Sequence, residues 1–362
     1  MGLRARYRCS SIDGLRGATT SGTHHALVMS ELAPPQLPRM EVTSPESIAA
    51  AVAVLRRGGL VGLPTETVYG LAADAENELA VRRIFAVKGR PSTHPLIVHV
   101  AQASSMESWA TSVPPEAHRL ASAFWPGPLT LVLKRSPRAS DAVTGGQDTV
   151  ALRVPGHPVA LAVLRAFDGG VAAPSANRFG RVSPTRAEHV RADLGSDVDL
   201  VLDGGPARVG VESTIVDLSG DEPLLLRPGG VPVESVEKVL ERRISRVPGR
   251  KIRAPGLLPS HYAPRAGVLL AEPGGAVAKA LALAGNGRKV AVAVPEAVEV
   301  PEPLVALRIP ADVDGLAREL YTVFRLADEA KVDVAVISVP GEEGLGLAVV
   351  DRLRRAAAPR SS

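Results

Sequence analysis

Cysteine is almost missing from this chain of 362 residues: Cys9 stands alone near the amino terminus. That rules out a disulfide framework, a Cys/His zinc cluster or a cysteine nucleophile in the body of the protein, and it suits a reducing, cytoplasmic setting. Aromatic residues make up only 3%. The core must therefore be built from Ala, Val and Leu, and a stacking platform for single-stranded nucleic acid is disfavoured. Charge of one sign is also scarce. The net charge is +4, and five arginines against Asp13 and Glu31 put +3 of it in residues 1–39. The remainder is nearly neutral, so bulk charge does not mark a nucleic-acid protein. No apolar run reaches the roughly 18 residues of a membrane span, and residues 24–33 are too mildly apolar for a secretory signal. A Walker loop, an H-E-x-x-H helix, Cys/His metal spacing and a G-x-S-x-G elbow are all absent.

What remains is a hydrophobic content of 45% and a length that suits roughly two domains. Residues 1–39 are rich in Arg, Ser, Gly, Thr and Pro without a hydrophobic period. They read as a disordered extension, as a start assigned too early (Met40 directly precedes recognisable structure), or as a transit peptide. From Ser44, an N-cap with Pro45 behind it, short strands and helices follow in irregular order. Leu60–Leu63 reads as a buried strand that Pro64 must end. Helices are expected over residues 77–87, 116–124, 158–167 and 184–194. Further strands are expected near residues 96–100, 129–133, 150–154, 171–173, 200–202, 215–218 and 224–226. This predicts an α+β domain over residues 40–240 with a large mixed sheet. Residues 241–266 read as a linker, because proline and glycine break every period there. Strand and helix then alternate over residues 267–356, which predicts a small parallel α/β domain, followed by a tail at 357–362.

Four polar clusters fall at strand ends or tight loops of the first domain. Thr65-Glu66-Thr67 follows the first strand and is either a solvated turn or a ligand site. Lys88-Gly89-Arg90-Pro91-Ser92, with His94 and His99 nearby, is either ordinary complementarity to a helix carboxyl end or an anion clamp, with a point charge and a fork suited to phosphate oxygens. Pro174-Ser175-Ala176-Asn177, with Ser183 beyond, either binds a ligand or satisfies its own turn. Glu212-Ser213-Thr214 and Arg227-Pro228-Gly229 form the fourth. Arg153 is a lone charge in an apolar strand, for which a buried, structurally paired arginine is the simpler reading. A site of hydroxyls and cations suits a reaction whose substrate brings its own nucleophile, such as attack on a phosphate ester.

Six of these stretches, in order, carry a resemblance. They are Leu63-Pro64-Thr65-Glu66-Thr67-Val68-Tyr69-Gly70-Leu71; Lys88-Gly89-Arg90-Pro91 with Pro95-Leu96-Ile97-Val98-His99; Trp125-Pro126-Gly127-Pro128-Leu129-Thr130; Ala172-Ala173-Pro174-Ser175-Ala176-Asn177; Gly210-Val211-Glu212-Ser213-Thr214; and Leu226-Arg227-Pro228-Gly229. Together they resemble the threonylcarbamoyl-AMP synthase family (YrdC type). His261-Tyr262-Ala263-Pro264 and the following α/β domain resemble its long two-domain form. The resemblance implies a twisted mixed sheet with a deep cavity, then a small Rossmann-like domain.

It also implies the condensation of L-threonine, bicarbonate and ATP into threonylcarbamoyl-AMP and pyrophosphate in the cytoplasm. Mg²⁺ is then carried mainly by the ATP phosphates, with no protein metal site. A downstream transferase takes the product to the tRNA adenosine beside the anticodon, and direct tRNA contact is left open. By the same resemblance, Thr65, His99, Arg153, Ala173 and Ser213 hold threonine. Lys88, Arg90, Ser92, Thr149, Ser175, Asn177, Ser183, Arg227 and Tyr262 face the nucleotide, with Lys88 and Arg90 catalytic and the linker a lid. Where many members carry a basic residue before the His-Tyr pair, this chain has Leu257-Leu258-Pro259-Ser260. The alternative is a non-catalytic module that binds double-stranded RNA or tRNA on the same fold. A carbamoyl-transfer domain of a hydrogenase-maturation protein shares the fold too, but carries Cys-x-x-Cys fingers that are missing here.

Overall fold

Ser44 and Asn77 start the first two helices by the same device. Each side chain accepts a backbone N–H three residues on, from Ser47 and Ala80 respectively, and so satisfies a donor that the helix leaves unpaired. The helices run Pro45–Arg56 and Glu78–Lys88, and Gly89 stops the second at φ 64, a left-handed cap that costs glycine little. The computed structural model describes residues 44–245, 255–256 and 261–359. The expectations for residues 1–39 and for the Leu257–Ser260 stretch lie outside them.

Among the described residues, ten strands form one mixed sheet. Across it the order is Leu224–Arg227, Thr214–Asp217, Leu129–Arg135, Thr149–Arg153, Ile97–His99, Val171–Ala172, Gly70–Asp74, Val61–Leu63 and Leu200–Val201, with Ala110–Ser112 paired beside Leu129–Arg135. Parallel and antiparallel neighbours are mixed throughout. The first strand does end at Leu63, before Pro64. Its neighbour Gly70–Asp74 has no counterpart among the expected strands, because Gly-Leu-Ala-Ala-Asp has neither β-branched residues nor alternation. The helix expected from Pro184 begins at Ala187. The Pro184 and Thr185 carbonyls are already taken by the Tyr69 and Ala207 N–H groups, so the chain there is extended and joined to other loops.

A second sheet is wholly parallel, in the order Gly267–Ala271, Val334–Ser338, Val290–Pro295 and Val305–Ile309. Both faces are covered, which is why Val290–Val294 is an unbroken apolar run. Val290, Val292 and Val294 pack with Ala276 and Ala280 of the helix Ala276–Ala284. Ala291 and Ala293 face the helices Val313–Glu329 and Gly346–Ala357. That second face shares one apolar cluster with Val68, Val182, Val211 and Tyr262, so the two sheets' units are joined through it. Gly210 makes the approach possible: at φ 80, an added Cβ would lie 2.3 Å from the Arg318 Cα.

Candidate active site

Strand register builds the centre of the site. Ile97–His99 runs parallel to Thr149–Arg153 with His99 opposite Arg153, so both side chains leave the sheet at the same end. Each nitrogen of the Arg153 guanidinium then has one partner, three bonds from five N–H groups. Its Nε donates to the Gly127 carbonyl at 3.1 Å, one amino group to Thr67 Oγ1 at 3.0 Å, and the other to Glu66 Oε1 at 2.7 Å. Both partners of the ion pair are buried, where each charge needs the other. His99 is buried as well, and burial, with the Arg153 charge second, holds its pKa down at about 3. It is a neutral imidazole at physiological pH, and its Nδ1 has no hydrogen-bond partner among the described residues.

Thr65 ties its own turn. Its Oγ1 donates to the Val68 carbonyl at 2.5 Å, meets Thr67 Oγ1 at 2.9 Å and accepts the Thr67 N–H at 3.2 Å. The cluster is thus a turn and part of a wall at once. Opposite it, Ser213 Oγ meets Thr130 Oγ1 at 2.8 Å. Arg227 holds the Ser213 carbonyl from Nε and one amino nitrogen, at 3.1 and 2.8 Å, and reaches the Pro255 carbonyl of the linker at 2.9 Å. Arg90 donates to the Pro95 carbonyl at 2.8 Å. Burial pushes its pKa down to about 10, which leaves it cationic at neutral pH.

These groups surround one narrow hollow with a cavity volume of about 50 Å³. Of the residues expected in the site, Thr65, Arg90, His99, Arg153, Ala173, Ser175, Ser213, Arg227 and Tyr262 line it. Lys88, Ser92, Thr149, Asn177 and Ser183 are not in its wall. Lys88 lies one layer out, with its ammonium on the Ser175 and Asn177 carbonyls at 2.5 and 2.6 Å. Burial, then the neighbouring Arg90 charge, pushes its pKa well down. Asn177 donates its amide to the Arg178 and Arg181 carbonyls and so closes the turn. Thr149 is buried in strand pairing opposite Lys134, and Ser92 is exposed.

Ser183 donates to Glu212 Oε1 at 2.7 Å. Glu212 itself lines the hollow, although its sequence context marks it only as part of a polar cluster. Burial alone would raise its pKa, but the charges of Arg352 and Arg227 overcome that and hold it at about 2. Thr67 belongs with Glu212: polar, inside a named cluster, and visible to a closer reading. Gly70 and Ile97 also line the wall, and nothing polar in them could have marked it. Gly256 and His261 complete it from the linker. A Cβ on Gly256 would lie 2.1 Å from the Tyr262 hydroxyl, so the tyrosine needs glycine there.

A large mixed sheet whose strand ends and turns surround a hollow walled by three arginines and one glutamate is an arrangement that can hold a small anion. Comparison with known proteins narrows this. Residues 53–229 match the family described as Telomere recombination (Sua5, YciO and YrdC), and residues 231–358 match the Threonylcarbamoyl-AMP synthase, C-terminal domain. The chain is 44% identical to the threonylcarbamoyl-AMP synthase of Pyrococcus abyssi over 86% of its length and 94% of the relative's. It is 41% identical to that of Bacillus subtilis over 88% and 95%. The crystal structure of P. abyssi Sua5 complexed with L-threonine superposes with a TM-score of 0.81 at 42% identity, covering 86% of this chain and 94% of that one. The chain belongs to the threonylcarbamoyl-AMP synthase family, in its long two-domain form.

Proposed function

We propose that this protein is an L-threonylcarbamoyladenylate synthase, making threonylcarbamoyl-AMP and pyrophosphate from L-threonine, bicarbonate and ATP. The product serves a transferase that modifies tRNA adenosine beside the anticodon. The observation that carries the reading is the convergence of Thr65, His99, Arg153 and Ser213 with Arg90 and Arg227 on one hollow. Threonine would sit toward Arg153, its carboxylate facing that guanidinium, beside the Thr65 and Ser213 hydroxyls. The nucleotide would lie toward Ser175, Arg227, Arg90 and Tyr262.

Bicarbonate gives up its hydroxyl as CO₂ forms, the threonine amine takes up that CO₂, and the amine proton leaves with the hydroxyl as water, leaving a carbamate. A carbamate oxygen attacks the α-phosphorus, the bond to the β-phosphate oxygen breaks, and pyrophosphate leaves. No covalent intermediate on the protein is needed. The work of the residues is positioning and charge neutralisation. Arg90 and Arg227 are the cations at hand, and they act in a dry setting where each charge counts for more. Polyphosphate arriving beside Lys88 would draw its depressed pKa back up. Lys88 would then add positive potential from behind the Ser175 loop.

The wall's one carboxylate, Glu212, has both oxygens engaged by Ser183, Tyr321 and Arg352. It offers a metal no free oxygen, so Mg²⁺ would be held through the ATP phosphates. The deep cavity closes, in this reading, with linker residues Pro255, Gly256, His261 and Tyr262 as its cover, which shields a carbamate from water. We read residues 267–356 as a small Rossmann-like domain after a catalytic domain over residues 40–240. The test is pyrophosphate release from ATP and bicarbonate, with and without threonine. Threonine-dependent release is the expected result. Its absence, with or without tRNA binding, would sink the enzyme reading.

A further inference from the structure

We propose that Arg352, on the last helix of the second domain, is a positioning residue for the active site: it grips Glu212, Pro228 and the face of Tyr262 together, and through them the second domain sets the geometry of the hollow. The proposal rests on the reading of that hollow as the substrate site.

Arg352 is completely buried, a position arginine rarely takes unless its charge is paired; its Nε and one amino group are engaged, while the other amino group has no hydrogen-bond partner among the described residues. Its Nε donates to Glu212 Oε2 at 2.7 Å and one amino group to the Pro228 carbonyl at 3.1 Å. Glu212 precedes Ser213, and Pro228 follows Arg227. One guanidinium therefore holds the chain immediately beside two wall residues that are themselves bonded to each other. The same amino group also meets Asp351 Oδ2 at 2.6 Å. This second carboxylate balances the charge and orients the fork.

The other contact is with the linker. The Arg352 guanidinium carbon lies 5.0 Å from the centre of the Tyr262 ring, within cation–π range. Tyr262 has φ 61, a left-handed conformation that a bulky residue keeps only when its surroundings hold it. Its surroundings are the Arg352 face, the Tyr321 ring at 5.8 Å and the His261 ring at 4.0 Å. Tyr321, also from the second domain, donates its hydroxyl to Glu212 at 2.8 and 3.0 Å. Three donors from two domains thus fix one carboxylate, and the residue beside it faces the substrate.

A purely adhesive role would look different. Arg325 also joins the domains, with a two-pronged pair to Asp193 at 2.7 and 3.0 Å and a bond to the Val182 carbonyl. None of its partners lies in the hollow's wall. Arg325 is therefore the built-in control.

The experiment compares full-length wild type with Arg352→Met, Arg352→Lys, Arg325→Met and the double variant Glu212→Gln/Arg352→Met. The double variant removes the unpaired buried charge that could stop Arg352→Met from folding. Thermal melting establishes which variants are folded. Pyrophosphate release then yields kcat and KM for threonine and for ATP, and calorimetry measures threonine binding without turnover. We expect kcat/KM for threonine to fall at least about tenfold in each folded variant that carries Arg352→Met, as for a misplaced site. Arg352→Lys, which keeps the charge but not the fork, should fall between these and wild type. Arg325→Met should melt lower yet stay within about twofold in kcat/KM. The proposal is overturned if the folded Arg352→Met variants, single or double, match Arg325→Met in kcat/KM and in threonine affinity. If wild type binds threonine but releases no pyrophosphate, the reaction is misassigned and calorimetry alone decides the role of Arg352. If wild type does not bind threonine either, both readings fall.

Discussion

Arg153 shows how one side chain can satisfy two readings. The simpler reading, a buried arginine with a structural partner, holds: Glu66, Thr67 and Gly127 take its donors. It also lines the hollow. Arg153→Met should therefore leave Glu66 buried without its partner, costing about 3–5 kcal/mol of stability, and abolish threonine binding. Melting and calorimetry would check the two effects. Lys88 is less direct than the sequence implied, because its ammonium is spent on the Ser175 and Asn177 carbonyls. Lys88→Ala should still lower turnover by on the order of a hundredfold, the size expected when a charge-stabilising group is lost. A loss confined to stability, with kcat unchanged, would limit Lys88 to holding the loop.

Two buried histidines make a pH prediction at the same scale. His99 and His261 are both held near 3, by burial first, against an ordinary value of 6.5. The unfolded chain therefore takes up these protons first as the pH drops below about 6.5. Stability should be full above that point and fall on acidification toward pH 3, by up to about 1.4 kcal/mol per pH unit for each histidine. Melting temperature measured from pH 7 to 4 should show this slope, and His99→Gln should flatten part of it. A flat profile in the wild type would contradict the burial of these neutral rings.

Among the elements, the legible ones announced themselves by local chemistry. Ser44 with Pro45 started a helix and Pro64 ended a strand. Gly70–Asp74 stayed hidden because its pairing comes from neighbours on either side, Val61–Leu63 and Val171–Ala172, not from its own side chains. The loop at Gly210 belongs to a motif that reads as substrate-binding, yet its glycine is needed for the close approach of the helix Val313–Glu329. Gly210→Ala should destabilise the joined domains by about 2 kcal/mol or more, through both strain and overlap. The check is melting together with susceptibility to proteolysis between the two domains. An unchanged melting point would mean that the helix yields easily.

At the scale of the whole molecule, the hydroxyls and cations of the hollow could be read in the sequence because they cluster within a few residues of strand ends. Two of the partners of Glu212 could not. Tyr321 lies 109 positions away and Arg352 140. Arg352 sits in a helix with Asp351, Arg354 and Arg355, where it looks like one more solvated charge, and only the packing of one domain on the other buries it. In the function proposed above, what organises the molecule is a hollow that would take an amino acid and a nucleotide side by side. The most direct measurement is a crystal structure with L-threonine and a non-hydrolysable ATP analogue bound together. The account predicts threonine beside Thr65, Arg153 and Ser213, with the phosphates against Arg90 and Arg227 in the same hollow. Either molecule bound on a separate face, away from those arginines, would contradict it.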